Sequence, residues 1–206
     1  MKLKHILVLT IICFYFQAQA QLTSVSYNDE SQKLEGFFSK PKKPHSKKAG
    51  IVVLPAWMGI TDHEKESAQN LAKLGYYAFV ADVYGKDKNP KSIDEAIKQS
   101  GFYKTNYEAY QKRIQLAIDQ LIKVGANPNE IAVIGYCFGG TGAIEAARGT
   151  LKVKGVVSFH GGLGKNIDRT TNPIQAKVLV LHGADDPYVP AKEVSDFMDE
   201  MRTANA

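Results

Sequence analysis

Ile131-Ala132-Val133-Ile134-Gly135-Tyr136-Cys137-Phe138-Gly139-Gly140 reads as a buried strand that turns directly into a glycine-opened helix, with a thiol at the corner. The pattern is a nucleophile elbow, G-x-S-x-G, with sulfur in place of oxygen. Gly135 and Gly139 lack a Cβ, so strand and helix can approach closely enough to push the Cys137 side chain out of the turn. The amides that follow, beginning with the Phe138 N–H, carry the positive end of a helix dipole and favour a thiolate and a developing oxyanion. Taken alone, the hexapeptide also reads as a buried cysteine beside packing glycines. The apolar strand before it and the small-residue run Thr141-Gly142-Ala143-Ile144-Glu145-Ala146-Ala147 after it supply the strand-turn-helix context that the elbow requires.

Working outward, apolar runs bounded by turn residues recur at 51–54, 76–81, 131–136, 156–159 and 178–181. Rich in Val, Ile, Phe and Tyr, they predict strands buried on both faces. Helical patterns lie between them. Thr61-Asp62-His63-Glu64 is a capping box, followed by Ala68, Leu71, Ala72 and Leu74 and stopped by Gly75. Ser92-Ile93-Asp94-Glu95 opens a second helix expected to end near Gly101. A third, over 106–124, carries Tyr107, Tyr110, Ile114, Ala117, Ile118 and Leu121 on one stripe. Residues 25–27 and 34–38 flank Asn28-Asp29-Glu30-Ser31 and predict an antiparallel hairpin at the sheet edge. The alternation implies an α/β fold, a mostly parallel sheet with helices on both faces. Ligands bind beyond the carboxyl ends of such strands, and the elbow lies on that edge.

Met1-Lys2-Leu3-Lys4-His5, an apolar stretch over 6–16 and Ala18-Gln19-Ala20 before Gln21 form a leader-type pattern. The apolar stretch is shorter than the ~20 residues of a membrane span. The expectation is a signal peptide at 1–20, a single domain at 21–206, and a secreted or periplasmic location without a membrane anchor. Removing 1–20 takes Lys2, Lys4 and Cys13, so the formal net charge of +5 falls by two and Cys137 is left as the sole cysteine. An unpaired thiol in an oxidising compartment is a liability unless buried or used, which favours the nucleophile reading. Lys40, Lys42, Lys43, Lys47 and Lys48 cluster without interleaved aromatics, which reads as a solvated loop and not a nucleic-acid patch. No metal-ligand spacing is visible, and nothing calls for a cofactor.

His182-Gly183-Ala184-Asp185-Asp186-Pro187-Tyr188-Val189-Pro190 follows the last predicted strand. An acid in that loop suits the order nucleophile, acid, histidine, while a simple Asx turn before Pro187 is the plainer reading. Together with the elbow, with Val53-Leu54-Pro55-Ala56-Trp57-Met58-Gly59 and with Ala81-Asp82-Val83-Tyr84-Gly85, this ordered set resembles the dienelactone hydrolase family over nearly all of residues 21–206. The resemblance implies an α/β-hydrolase sandwich acting on small-molecule esters or lactones through a thioester. It assigns the nucleophile to Cys137, the triad acid to Asp186 and the oxyanion-hole amides to Trp57 and Phe138.

The departures are as informative. Family members carry a glutamate at the position of Ala56, and a substrate-binding arginine falls near Lys86, which keeps the charge but not the bidentate fork. The family's histidine lies beyond the helix expected at 191–202, and none of the residues from Pro187 to Ala206 is a histidine. The expectation is therefore an incomplete triad, with slow turnover and accumulation of acylated Cys137. His45, His63, His160 and His182 read as surface or strand-end histidines. The competing reading is a non-catalytic binding protein of the same fold. A strand over 178–181 left at the sheet edge would invite a second chain, and the oligomeric state stays open.

Overall fold

In the computed structural model, which describes residues 21–206, the chain runs β1 (Leu22–Asp29), β2 (Gln32–Ser39), β3 (Gly50–Leu54), α1 (Asp62–Lys73), β4 (Tyr77–Val80), α2 (Ile93–Thr105), α3 (Tyr107–Lys123), β5 (Ile131–Tyr136), α4 (Phe138–Arg148), β6 (Gly155–Phe159), β7 (Lys177–Leu181) and α5 (Ala191–Thr203). The expected signal peptide lies outside the described residues. The strands form one sheet in the order β1-β2-β4-β3-β5-β6-β7. β1 and β2 are an antiparallel hairpin, β2 is antiparallel to β4, and every other pairing is parallel. This is the mostly parallel α/β-hydrolase-type sheet with an edge hairpin that the sequence predicts.

The period-two alternation of the strands splits the core into two clusters. Val52, Leu54, Phe79 and Val133 face the larger one, with Tyr110 and Ile114 of α3 and Ile144 of α4. Val53, Ala78 and Val80 face the smaller one, where Ala68 and Leu71 of α1 cover them. Burial on both faces holds for β3 and β4, in the middle of the sheet. It fails for β7, whose Leu179 and Leu181 are 55% and 44% exposed, because β7 is an edge strand among the described residues.

The capping box at α1 forms as read: Thr61 Oγ1 accepts from the His63 N–H and Glu64 Oε2 accepts from the Thr61 N–H. α2 does not stop at Gly101 but continues to Thr105. Tyr103, buried against Phe138 and Tyr110, holds that extra turn in the core. Tyr107 opens α3 but leaves the core stripe and lies under the Arg169 guanidinium, 3.6 Å from its ring centroid.

Periodicity gave no sign of the polar cluster that ties α4 to α5. Arg148 is nearly fully buried. It donates to both carboxylate oxygens of Glu200 at 3.0 and 2.7 Å, to Glu145 Oε1 at 3.0 Å, and to the carbonyls of Leu163 and Gly164. Arg169 adds two bonds to Glu145 at 2.9 and 2.8 Å. Burial alone would raise the Glu145 pKa, but the Arg169 hydrogen bond and the two guanidinium charges outweigh it and hold the carboxyl below its ordinary 4.5. Glu145 therefore contributes stability in full above that value and loses it as the pH falls further. Arg148→Met, which leaves Glu145 to Arg169 alone and the covered Glu200 carboxylate with only Lys165 at 3.8 Å, is expected to cost about 3–5 kcal/mol in urea denaturation at neutral pH. Glu145→Gln should flatten the loss of stability below pH 4.5.

Candidate active site

The elbow forms where β5 meets α4. Cys137 has φ 53° and ψ −113°, a strained conformation for a residue with a side chain. Its backbone is pinned on both sides: its N–H donates to the Phe159 carbonyl at 2.8 Å and its carbonyl accepts from the Thr141 N–H at 3.1 Å. The glycines do what the sequence reading asks of them. A Cβ on Gly135 would overlap the Gly139 carbonyl, and one on Gly139 would overlap the Leu54 carbonyl. Cys137 is partly buried and lines a cavity.

Two backbone segments that line the same cavity carry the amides of the sequence assignment. The Phe138 N–H is the first of α4 and has no intrahelical acceptor. The Ala56 carbonyl accepts from the Gly59 N–H at 2.9 Å, which fixes the plane of the Ala56-Trp57 peptide and turns the Trp57 N–H the opposite way. Two tyrosines absent from the sequence assignment secure these segments. Tyr84 Oη donates to the Trp57 carbonyl at 2.8 Å and Tyr110 Oη to the Phe138 carbonyl at 3.0 Å. Both rings stack on Phe138, with centroids at 5.7 and 4.7 Å. Burial pushes both phenols up, so each hydroxyl stays protonated and available as a donor.

Asp186 lies in the loop after β7, and the two readings of it are not exclusive. Oδ1 accepts from the Tyr188 N–H at 2.9 Å, an Asx turn. Oδ2 lies 2.6 Å from Nδ1 of His160 and 3.9 Å from Nδ1 of His182. The His160 ring N–H is not aligned with Oδ2, so the pair is a short charge contact and not a linear hydrogen bond. The Tyr188 N–H first, and then the His160 side chain, hold the Asp186 carboxyl below its ordinary value.

His160 is the strand-end histidine it reads as in the sequence, directly after β6 and half-exposed, and the structure also brings its ring against Asp186. β5 and β6 pair Tyr136 with Phe159, whose rings stack at 5.0 Å on the α1 side of the sheet. The next residue of each strand, Cys137 and His160, faces the other way, and both take positive φ. Reading the register one residue past each strand finds this pair; reading the chain order alone does not. His63 instead packs edge-on against Tyr136, and His45 against Tyr76.

Cys137, Trp57, Phe138, His160, Tyr188 and Val189 line one cavity of about 510 Å³. Its other wall is α2, through Ile97, Ser100, Gly101 and Lys104. Lys86 is not brought to it. It pairs with Glu35 at 3.1 Å over a separate depression beside β2, because the loop after β4 folds back onto the hairpin. The cation at the Cys137 cavity is Lys104. Among the described residues, no group of His, Cys, Asp and Glu is placed to hold a metal ion, and no helix is long and apolar enough to cross a membrane.

A sequence profile of the dienelactone hydrolase family matches residues 34–206. The chain is 26% identical over 162 residues to a Bradyrhizobium protein named "Probable 2-oxo-3-(5-oxofuran-2-ylidene)propanoate lactonase", covering 74% of this chain and 65% of that protein's length. Among solved structures, m3DLH superposes with a TM-score of 0.85 at 30% identity, over 91% of this chain and 79% of that one. A dienelactone hydrolase-like promiscuous phosphotriesterase from metagenomic libraries superposes at 0.83 with 33% identity, over the same shares.

Tyr110→Phe removes the donor to the Phe138 carbonyl while keeping the ring stack. It is expected to cost about 1–3 kcal/mol for an acceptor left buried, read as a lower urea midpoint with unchanged slope.

Proposed function

The chain belongs to the dienelactone hydrolase family, and on that footing we propose that it hydrolyses carboxylic esters or lactones through a thioester on Cys137. One observation carries the reading: a thiol on a strained elbow shares a cavity with an imidazole that touches a covered carboxylate. In this scheme His160 takes the thiol proton, and the sulfur adds to the acyl carbon. The Trp57 and Phe138 N–H groups hold the oxyanion. Collapse expels the alcohol, which leaves with a proton from the imidazolium. Water then attacks the thioester, releases the acid and restores the thiol. Asp186 keeps its negative charge throughout and stabilises the imidazolium, the role of the acid in a triad.

His160 is half-exposed and its N–H is not collinear with Asp186 Oδ2. The base is therefore less well oriented than the nucleophile, and acylation should outpace deacylation. The leader pattern supports delivery to the periplasm or the exterior, and N-terminal sequencing of exported protein should begin at Gln21.

With p-nitrophenyl acetate, the expected products are nitrophenolate and an acetyl group on Cys137, found by mass spectrometry of the Cys137 peptide. His160→Gln should slow acylation on the order of 100-fold. An unmodified Cys137 during turnover, or nitrophenolate release untouched by Cys137→Ala, rules out the thioester route. An unchanged acylation rate in His160→Gln removes His160 from the scheme.

A further inference from the structure

The cavity above Cys137 also carries information about what the thiol would attack. No acidic side chain lines it, and its only fixed charge is Lys104, exposed near the end of α2. The rest of the wall is largely apolar. Trp57, Phe138 and Val189 line it together with Cys137. At the mouth, Ile97 and Tyr188 hold 56% and 82% of their surface in solvent. Grouped around one cavity, these side chains offer a ligand hydrocarbon surface beside the thiol.

Gly101 sets the room available. It lies one turn after Ile97 on α2 and lines the cavity, and a Cβ built on it would meet nothing within 4 Å. Ile93, 63% exposed, continues the same helix face four residues before Ile97, about 6 Å further along the axis. An apolar path therefore leads from the thiol past Gly101 and Ile97 along α2.

The geometry points to esters with an extended neutral hydrocarbon acyl chain as the substrates of this site. The chain would lie against Ile97, Tyr188 and Trp57, and substrates ending in a carboxylate would be disfavoured. A single solvated lysine offers such a carboxylate little compensation for leaving water. This inference rests on Cys137 being the reactive centre and adds the identity of what reaches it.

The test is a series of p-nitrophenyl esters, acetate, butyrate, hexanoate and octanoate, with the mono-p-nitrophenyl ester of adipic acid as the carboxylate-ended analogue of hexanoate. A fully buried methylene is worth about fourfold in binding, so a half-open cavity should give about twofold each, or roughly 16-fold in kcat/KM from acetate to hexanoate. The adipate ester should fall well below hexanoate. Ile97→Asp makes the wall polar and Gly101→Leu fills the open space with a good helix former, so each should flatten the dependence on chain length. Gly101→Leu removes a mid-helix glycine at an unobstructed position and is expected to fold.

A second readout does not need turnover. Trp57 is the sole tryptophan of the chain, so intrinsic fluorescence reports the cavity directly. Titration with methyl ethyl, methyl butyl and methyl hexyl ketone should show affinity rising with chain length, and the gain should be lost in both variants. A series flat in both measurements, or an adipate ester preferred over hexanoate, overturns the inference. If no ester acylates Cys137, the hydrolase reading falls, and the ketone series still decides whether the cavity selects hydrocarbon chains.

Discussion

Everything at the candidate site descends from one close approach of backbone to backbone. Gly139 at the start of α4 touches the Leu54 carbonyl at the end of β3, and Gly135 at the end of β5 touches the Gly139 carbonyl. Only residues without a Cβ permit three chain segments to meet this tightly. The contact brings the loop carrying Trp57 against the first turn of α4 and forces Cys137 into positive φ. Strain of that kind costs on the order of 1–3 kcal/mol. It is offset because all eleven residues of α4 are buried against the sheet and α3, so the helix cannot relax away from the strand.

The same packing explains why the aromatic residues cluster where they do. Tyr84, Tyr103 and Tyr110 surround Phe138, and two of their hydroxyls reach carbonyls that would otherwise be buried acceptors. A tyrosine fills volume with its ring and satisfies a polar group with its tip. Here both functions serve the two segments that line the Cys137 cavity. On the far side of α4, Arg148 performs the corresponding task for Leu163 and Gly164, whose backbone lies in the loop that begins with His160. The elbow helix is thus held from one side by hydrocarbon and hydroxyls and from the other by a buried ion cluster.

What the sequence made legible was local. The elbow, the capping box at Thr61, the core strands and the stripe of α3 apart from Tyr107 each depend on spacing within a few residues, and each appears where read. What it hid depends on register between distant segments. His160 precedes Asp186 by 26 positions, and only the pairing of β6 with β7 brings their side chains together. Lys86 lies away from the Cys137 cavity for the converse reason. Its position just after β4 looked adjacent to the site, but the loop turns back, and Glu35 on the hairpin takes the charge. α2 runs past Gly101 because that glycine is a weak stop signal when a large side chain two residues later, Tyr103, has a core position to fill.

The charge arrangement around Cys137 gives this geometry its chemical meaning. Oδ2 of Asp186 is shielded from solvent, carries negative charge, and has no linear hydrogen bond, although an imidazole nitrogen stands 2.6 Å away. Such an oxygen is stabilised least when the imidazole is neutral and most when it is positive. Proton transfer from the thiol to His160 would create that positive charge, and the small ring rotation that aligns the N–H would convert the short contact into a charge-assisted bond. In the proposed scheme the negative charge left behind, first on sulfur and then on the acyl oxygen, would meet the amino end of α4. Under that proposal both halves of the separated charge would find fixed partners, and the stabilisation would be larger for the charged state than for the ground state.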